Sequence, residues 1–291
     1  MSKKHPIIVV TGSSGAGTST VKGTFDTIFR RENITPAVIE GDAFHRYSRK
    51  EMKVKVAEWE ARNKNLSHFG PDANEWGELE NQFRTYGETG RCKTRFYLHN
   101  DEEAAPYKQE AGTFTPWFET PVDSDLLFYE GLHGCVKTAD VNLVKHVDLK
   151  IGVVPIINLE WIQKLHRDTK QRGYSKEAVT DIISKRMDDY MHFICPQFAE
   201  TDINFQRVPV VDTSNPFISR DVPTAGESMT VIRFKNPRGI DFPYLLSMIH
   251  DSFMSRANTI VVPGGKMDLA MQLILTPVIL RLMEIRRAQM Q

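Results

Sequence analysis

Runs of β-branched and aliphatic residues alternate along the chain with segments whose apolar positions recur every three or four residues. The first run, Pro6 to Val10, is apolar throughout, as a strand covered on both faces must be. From Thr18 to Arg31 the apolar positions Val21, Phe25, Ile28 and Phe29 predict a helix with one face on a sheet. Ala37 to Glu40 predicts the next strand, Glu51 to Lys64 and Asn74 to Tyr86 predict helices, and Arg95 to His99 a short strand. Between 100 and 125 the chain turns acidic and gains Pro and Gly, which predicts a surface excursion. Strands resume over Leu126 to Tyr129 and Val147 to Val154, followed by helices over Leu159 to Lys170 and Lys176 to Ile194, the second stopped by Pro196. Val208 to Asp212, Met229 to Phe234 and Thr259 to Val262 read as further strands, with a helix near Pro243 to Phe253 between the last two. Lys266 to Arg287 predicts a terminal helix. Strands alternating with helices imply an α/β fold, a mostly parallel sheet flanked by helices and extended by additional strands into a mixed sheet. No internal repeat divides it, so residues 1–291 read as one domain.

Composition narrows the class. A chain of 291 residues, 41% hydrophobic and 25% charged, can bury a large core. Lys+Arg and Asp+Glu both number 37, so no basic excess points to a nucleic acid or an anionic membrane surface. The most apolar late segment, Leu269 to Met283, is broken by Gln272, Pro277 and Arg281 and is too short to span a bilayer. Met1 to Pro6 leads into a short strand and then glycines, unlike a signal-peptide core. A cytoplasmic enzyme is expected, with no nucleic-acid or membrane partner. Cys92, Cys135 and Cys195 are odd in number and widely spaced, and are expected as reduced, buried thiols.

Four segments carry candidate chemistry. Gly12, Gly17 and Ser19 stand in register with the phosphate-binding pattern Gly, four residues, Gly-Lys-Ser/Thr, but Thr18 replaces the lysine. Gly12, Ser13, Ser14, Gly15, Ala16, Gly17, Thr18, Ser19 and Thr20 are therefore candidates to wrap a nucleotide's phosphates. Backbone N–H groups and the following helix's dipole would be the donors, and Ser19 would offer its hydroxyl to Mg²⁺. The missing charge must come from elsewhere, unless this is only a turn of small residues. Glu40 to Arg46 falls at the carboxyl end of the second strand, where open α/β sheets bind ligands. Asp42 there is placed to take a proton from an acceptor hydroxyl, or simply to cap a turn. His45, Arg49 and Lys53 follow at intervals of four, so a helical segment would set three potential cations on one stripe. That stripe suits a phosphorylated substrate, or is a solvated face. Leu126 to Tyr129 ends in Glu130, a candidate Mg²⁺ contact or a solvent-facing carboxylate. Lys164, Arg167, Asp168 and Arg172 share a helix face, either a lid supplying the charge absent at Thr18 or an exposed face laced with ion pairs.

Taken in order, the Gly12 to Ser19 loop, Gly41 to Arg46, Phe128 to Gly134, Asn158 to Lys164 and Asp212 to Phe217 resemble the phosphoribulokinases of the bacterial, NADH-activated type, across essentially the whole chain. The resemblance implies ATP-dependent phosphorylation of ribulose 5-phosphate to ribulose 1,5-bisphosphate, the Calvin-cycle acceptor of CO₂. It implies that Asp42 is the base for the 1-hydroxyl, that Glu130 and Asp168 manage Mg·ATP with Ser19, and that Lys164 and Arg167 stabilise the moving phosphoryl group. His45, Arg49, Lys53, Tyr97, His99 and Arg172 would hold the sugar phosphate. It further implies activation by NADH and inhibition by AMP in a large homo-oligomer, an octamer, with Arg31, Arg233 and Arg256 at the effector site. Plant-type members are switched through a cysteine in the phosphate loop, and Gly12 to Ser19 contains none, so control of that kind is not expected. Two other readings stay open: a uridine kinase-like enzyme, which needs no cations for a phosphate on its acceptor, and a non-catalytic nucleotide-binding regulator with a degraded loop at Thr18. A paralogue outside carbon fixation also fits.

Overall fold

The computed structural model describes residues 4–12, 18–170 and 173–290. The loop candidates Ser13, Ser14, Gly15, Ala16 and Gly17, together with Arg172, lie outside the described residues, as do the side chains of Thr18, Ser19 and Thr20. The strands are β1 (Ile7–Gly12), β2 (Pro36–Glu40), β3 (Lys93–Thr94), β4 (Phe118–Glu119), β5 (Leu126–Gly131), β6 (Leu149–Val154), β7 (Ile203–Pro209), β8 (Ser228–Phe234), β9 (Phe253–Arg256) and β10 (Thr259–Pro263). The helices are α1 (Thr18–Arg31), α2 (Arg49–Glu60), α3 (Trp76–Thr89), α4 (Asp101–Ala104), α5 (Ile157–Lys170), α6 (Lys176–Asp189), α7 (Gln197–Glu200), α8 (Phe242–Met248) and α9 (Met267–Met290).

Eight strands form one sheet in the order β2-β5-β1-β6-β7-β8-β10-β9. From β2 to β7 every pairing is parallel, and from β7 to β9 every pairing is antiparallel. Alternate residues of β1 enter opposite cores, which is why the strand is apolar without a break. Ile8 and Val10 pack with Val21, Phe25 and Ile28 of α1 and with Met271, Ile274 and Leu275 of α9. Ile7 and Val9 pack on the other side with Trp76, Leu79, Phe83 and Tyr86 of α3. The chain leaves β1 toward β2 on one side and meets β6 on the other, so a crevice opens at the carboxyl end of β1. Gly12 closes that end: a Cβ there would lie 2.4 Å from the Val153 carbonyl, so only glycine lets the chain turn against β6.

The sheet and the long helices follow the predicted pattern, with α1 matching its predicted bounds. Several expectations need correction. The strand expected at Val208 to Asp212 is β7, five residues earlier, because Ile203 and Phe205 reach the core while Val210 and Val211 are exposed. The helix expected to run to Phe253 ends at Met248, and Phe253 begins the edge strand β9. In place of a strand over Arg95 to His99 there is the two-residue β3, with Tyr97 bridging to Phe114. The 100–125 excursion is not all surface, since Ala104, Thr115, Thr120 and Ser124 are buried. Cys92 and Cys135 are buried free thiols, but Cys195 is exposed. Among the described residues no helix is long and apolar enough to cross a membrane.

Candidate active site

The crevice widens into a cleft of about 1620 Å³ between the carboxyl ends of β1, β2 and β5, the start of α2, the 96–99 segment, and α5 with α6. Asp42 lies on the single 3₁₀ turn, Gly41–Phe44, that follows β2. Gly41 is required because a Cβ there would meet the Tyr129 hydroxyl at 2.6 Å. One oxygen of Asp42, Oδ1, lies 3.1 Å from Nε2 of His45, and Oδ2 lies 3.5 Å from Nε2 of His99. The Asp42 side chain is 39% exposed and lines the cleft. Burial pushes Asp42 toward the neutral acid, but the His45 hydrogen bond and the charge of His45, with a smaller pull from His99, outweigh it and hold the group well below the usual carboxylate range.

His45 is not on the helix that carries Arg49 and Lys53. Its backbone is extended, and α2 begins only after Ser48, whose side chain and Glu51 form a reciprocal capping box. The three-cation stripe is therefore replaced by two elements: a buried ring paired with Asp42, and the α2 residues Arg49 and Lys53. All three still line the cleft. Arg49 reaches across it, donating from Nη2 to the His99 carbonyl at 2.7 Å. Tyr97 and His99 stand edge-to-face beside it, ring centroids 4.9 Å apart.

Glu130 ends β5, with its carboxyl pushed up to about 7 by burial and by the negative charges of Asp42 and Glu40, against a weaker pull from Lys22. A carboxylate so placed gains most from a nearby cation. Among the described residues no cluster of three or more His, Cys, Asp or Glu is set to hold a metal.

On α5, Lys164 Nζ lies 2.5 Å from Asp168 Oδ2 and Arg167 Nε lies 3.1 Å from Oδ1. Asp168 is buried, and although burial disfavours its charge the two cations keep it ionised. Burial lowers Lys164, with Asp168 opposing. The ion pairs of the bland reading thus exist, but they face the cleft rather than solvent. Arg172 lies outside the described residues.

The three arginines of the expected effector site do not converge within one chain. Arg233 and Arg256 both sit opposite Thr259, on β8 and β9. Ile232 and Phe234 on either side of Arg233 pack toward α1 and α9, so Arg233 points off the opposite face. Arg31 ends α1 and is tied to α9 through Gln272 and Thr276.

Lys22 in the cleft and Arg95 behind the Asp42 turn are among the residues that escaped the sequence reading. Lys22 is one helical turn past Thr18, lines the cleft and pairs with Glu40 at 2.6 Å; its i+4 spacing from Thr18 was the available signal. Arg95 lies over the rings of Phe114 (3.8 Å) and Trp117 (4.8 Å) and donates to the carbonyls of Ala43 and His45, clamping the Asp42 turn. Its partners are some 20 and 50 residues distant, and no local pattern announces them.

The model of the phosphoribulokinase / uridine kinase family matches residues 7–214, a range that contains every residue lining the cleft. The chain belongs to that family. Within the phosphoribulokinase / uridine kinase family it is 67% identical to the chromosomal phosphoribulokinase of Cupriavidus necator over the full length of both chains. It is also 67% identical to the phosphoribulokinase of Nitrobacter vulgaris over 98% of each. The solved phosphoribulokinase from Rhodobacter spheroides superposes with a TM-score of 0.92 at 62% identity, over 98% of this chain and all of that one. Membership makes the chain a kinase, a phosphotransferase that binds a nucleotide.

Proposed function

We propose that this kinase transfers the γ-phosphoryl group of ATP to the 1-hydroxyl of ribulose 5-phosphate, giving ribulose 1,5-bisphosphate for the Calvin cycle. The observation that carries the reading is Asp42, paired with His45 and open to the cleft that Arg49, Lys53 and His99 also line. A cationic rim beyond the base suits an acceptor that already bears a phosphate; a nucleoside acceptor would leave those charges without a partner. The names of the relatives support the same acceptor.

In this reading Gly12 to Thr20 wrap the ATP phosphates and Asp42 accepts the proton of the 1-hydroxyl as its oxygen bonds to the γ-phosphorus. The bond to the β-γ bridging oxygen breaks and ADP leaves. Lys164 and Arg167 neutralise the charge on the transferring group, doing from α5 what the lysine absent at Thr18 does in the common pattern. Ser19, Glu130 and Asp168 would hold Mg²⁺, which would supply charge neutralisation on the nucleotide's phosphates. Arg49, Lys53, Tyr97, His99 and Arg172 hold the sugar phosphate, whereas His45, expected among them, has both ring nitrogens committed to Asp42 and Asn74 and serves through Asp42. The test is ATP consumption with each acceptor: kcat/KM with ribulose 5-phosphate should exceed that with uridine by orders of magnitude, and equal values would overturn the assignment.

Residues 1–291 act as one cytoplasmic kinase domain, in a homo-oligomer that the resemblance makes an octamer, activated by NADH and inhibited by AMP. Arg233 and Arg256 lie on one face of the sheet and Arg31 on the other, so an effector site using all three would form between subunits. Replacing Arg233 or Arg256 by Ala is expected to weaken NADH activation and spare basal turnover. Such coupling is about 1–3 kcal/mol and reciprocal between ligands. Initial rates against NADH at subsaturating ATP check it; a full response in both variants would remove these arginines from the effector site.

A further inference from the structure

Asn74 lies behind the Asp42 turn, where residues 44–46 and 73–75 run side by side and bridge at His45 and Asn74. It is 2% exposed and its side-chain amide is fully committed. Nδ2 donates to the carbonyls of His68 at 3.0 Å and Gly70 at 2.7 Å. Oδ1 is left facing Nδ1 of His45 at 2.9 Å. Turning the amide over would press Oδ1 against two carbonyl oxygens, so the network assigns its orientation. Nδ1 of His45 must therefore carry a hydrogen and donate to Asn74.

The opposite ring nitrogen, Nε2, faces Asp42 Oδ1 at 3.1 Å. A neutral ring with its hydrogen on Nδ1 would point a bare lone pair at the carboxylate. While Asp42 is ionised, His45 must carry both hydrogens. We propose that Asn74 is a positioning residue for phosphoryl transfer: by fixing a hydrogen on Nδ1 it keeps His45 an imidazolium that donates from Nε2, holding Asp42 ionised with its second oxygen toward the cleft. This rests on the reading of Asp42 as the base.

The surroundings of His45 agree. The groups facing it are Asp42, His68 (ring centroid 4.3 Å away), Tyr97 (6.1 Å), the Arg95 guanidinium on its carbonyl, and the more distant His99 and His133. Burial and Arg95 push its ring toward neutrality; the hydrogen bonds to Asp42 and Asn74 prevail and raise it. His68 and His133 are both lowered by burial, so they add no competing charge at neutral pH. A group raised on folding keeps its proton until the pH climbs through that raised value. Removing Asn74 frees the ring to move its hydrogen to Nε2, donate to Asp42 while neutral, and lose its charge at lower pH.

The experiment uses the full chain labelled with ¹⁵N-histidine, the His45 signals being identified by their loss in His45→Gln. In the wild type both His45 nitrogens should be protonated at neutral pH. In Asn74→Ala the ring should titrate at lower pH, its neutral form carrying the hydrogen on Nε2, and kcat should fall by about 10- to 100-fold, the usual cost of losing a partner that orients a functional group, with KM for both substrates unchanged. Asn74→Asp keeps an acceptor for Nδ1–H and, as the neutral acid in this buried place, donates its O–H to only one of the two carbonyls of His68 and Gly70. It should restore the imidazolium and most of kcat. An unchanged His45 titration in Asn74→Ala overturns the proposal. So does an Asn74→Asp enzyme no faster than Asn74→Ala, which would make Asn74 only a tether for the 68–70 turn. The nitrogen signals decide the point without reference to catalysis, whereas failure of the base assignment would appear as full turnover in an Asp42 variant.

Discussion

Replacing Asp42 by Asn is expected to lower kcat by about 10²- to 10⁴-fold or more, the range that a positioned general base contributes, with ATP affinity nearly unchanged. The amide fills the same volume on the Gly41–Phe44 turn but cannot take a proton from the acceptor. It also leaves His45 without the carboxylate that holds its ring charged, so the buried pair becomes a buried amide and a ring that burial drives to neutrality. In the proposed reading the nucleotide's phosphates are wrapped by Gly12 to Thr20 rather than by the Asp42 turn, so nucleotide binding is expected to be spared. Steady-state kinetics with nucleotide binding measured separately checks this, and a variant that only raised KM for the sugar would reassign Asp42 to substrate binding.

Lys164→Met is expected to cost about 10²- to 10³-fold in kcat, the usual loss when one preorganised donor to a transition-state oxyanion is removed. ATP affinity should change much less, because the charge that Lys164 meets grows mainly as the phosphoryl group moves. A secondary effect has the same sign. Asp168 is nearly inaccessible and keeps its charge through Lys164 and Arg167 together, so losing one partner makes the carboxylate harder to ionise. A methionine of similar length keeps α5 packed through Leu159, Ile162 and Leu165. Single-turnover rates with saturating nucleotide read the effect, and an unchanged rate would return Lys164 to a purely structural ion pair.

The parallel half of the sheet was legible because buried strands and their covering helices carry the strongest periodicity: β1, α1 and β5 announce themselves by unbroken or three-to-four-spaced apolar runs. Legibility fell where burial alternates or is one-sided. β7 has Ile203 and Phe205 inward with polar residues between, and the exposed Val210 and Val211 drew the reading toward its end. β9 is an exposed edge strand with little apolar signal of its own. The positions of Asp42, Glu130 and the α5 cations followed from strand ends and helix spacing, which are local properties. His45 did not: an interval of four residues implies a common face only if the backbone stays helical, and here the capping box starts α2 at Ser48. Asn74 and Arg95 act through hydrogen bonds to residues 29 to 52 positions away, which no periodicity encodes.

The most direct test of the central claim is to follow the γ-phosphoryl group itself. Enzyme, Mg·ATP and ribulose 5-phosphate are observed by ³¹P NMR, with the product resolved by its coupling to the carbon-1 protons. The γ resonance should fall in step with the growth of a second phosphomonoester on carbon 1, without accumulation of inorganic phosphate, and both changes should be arrested in Asp42→Asn. Release of inorganic phosphate without the bisphosphate, or transfer at the wild-type rate by Asp42→Asn, would contradict that claim.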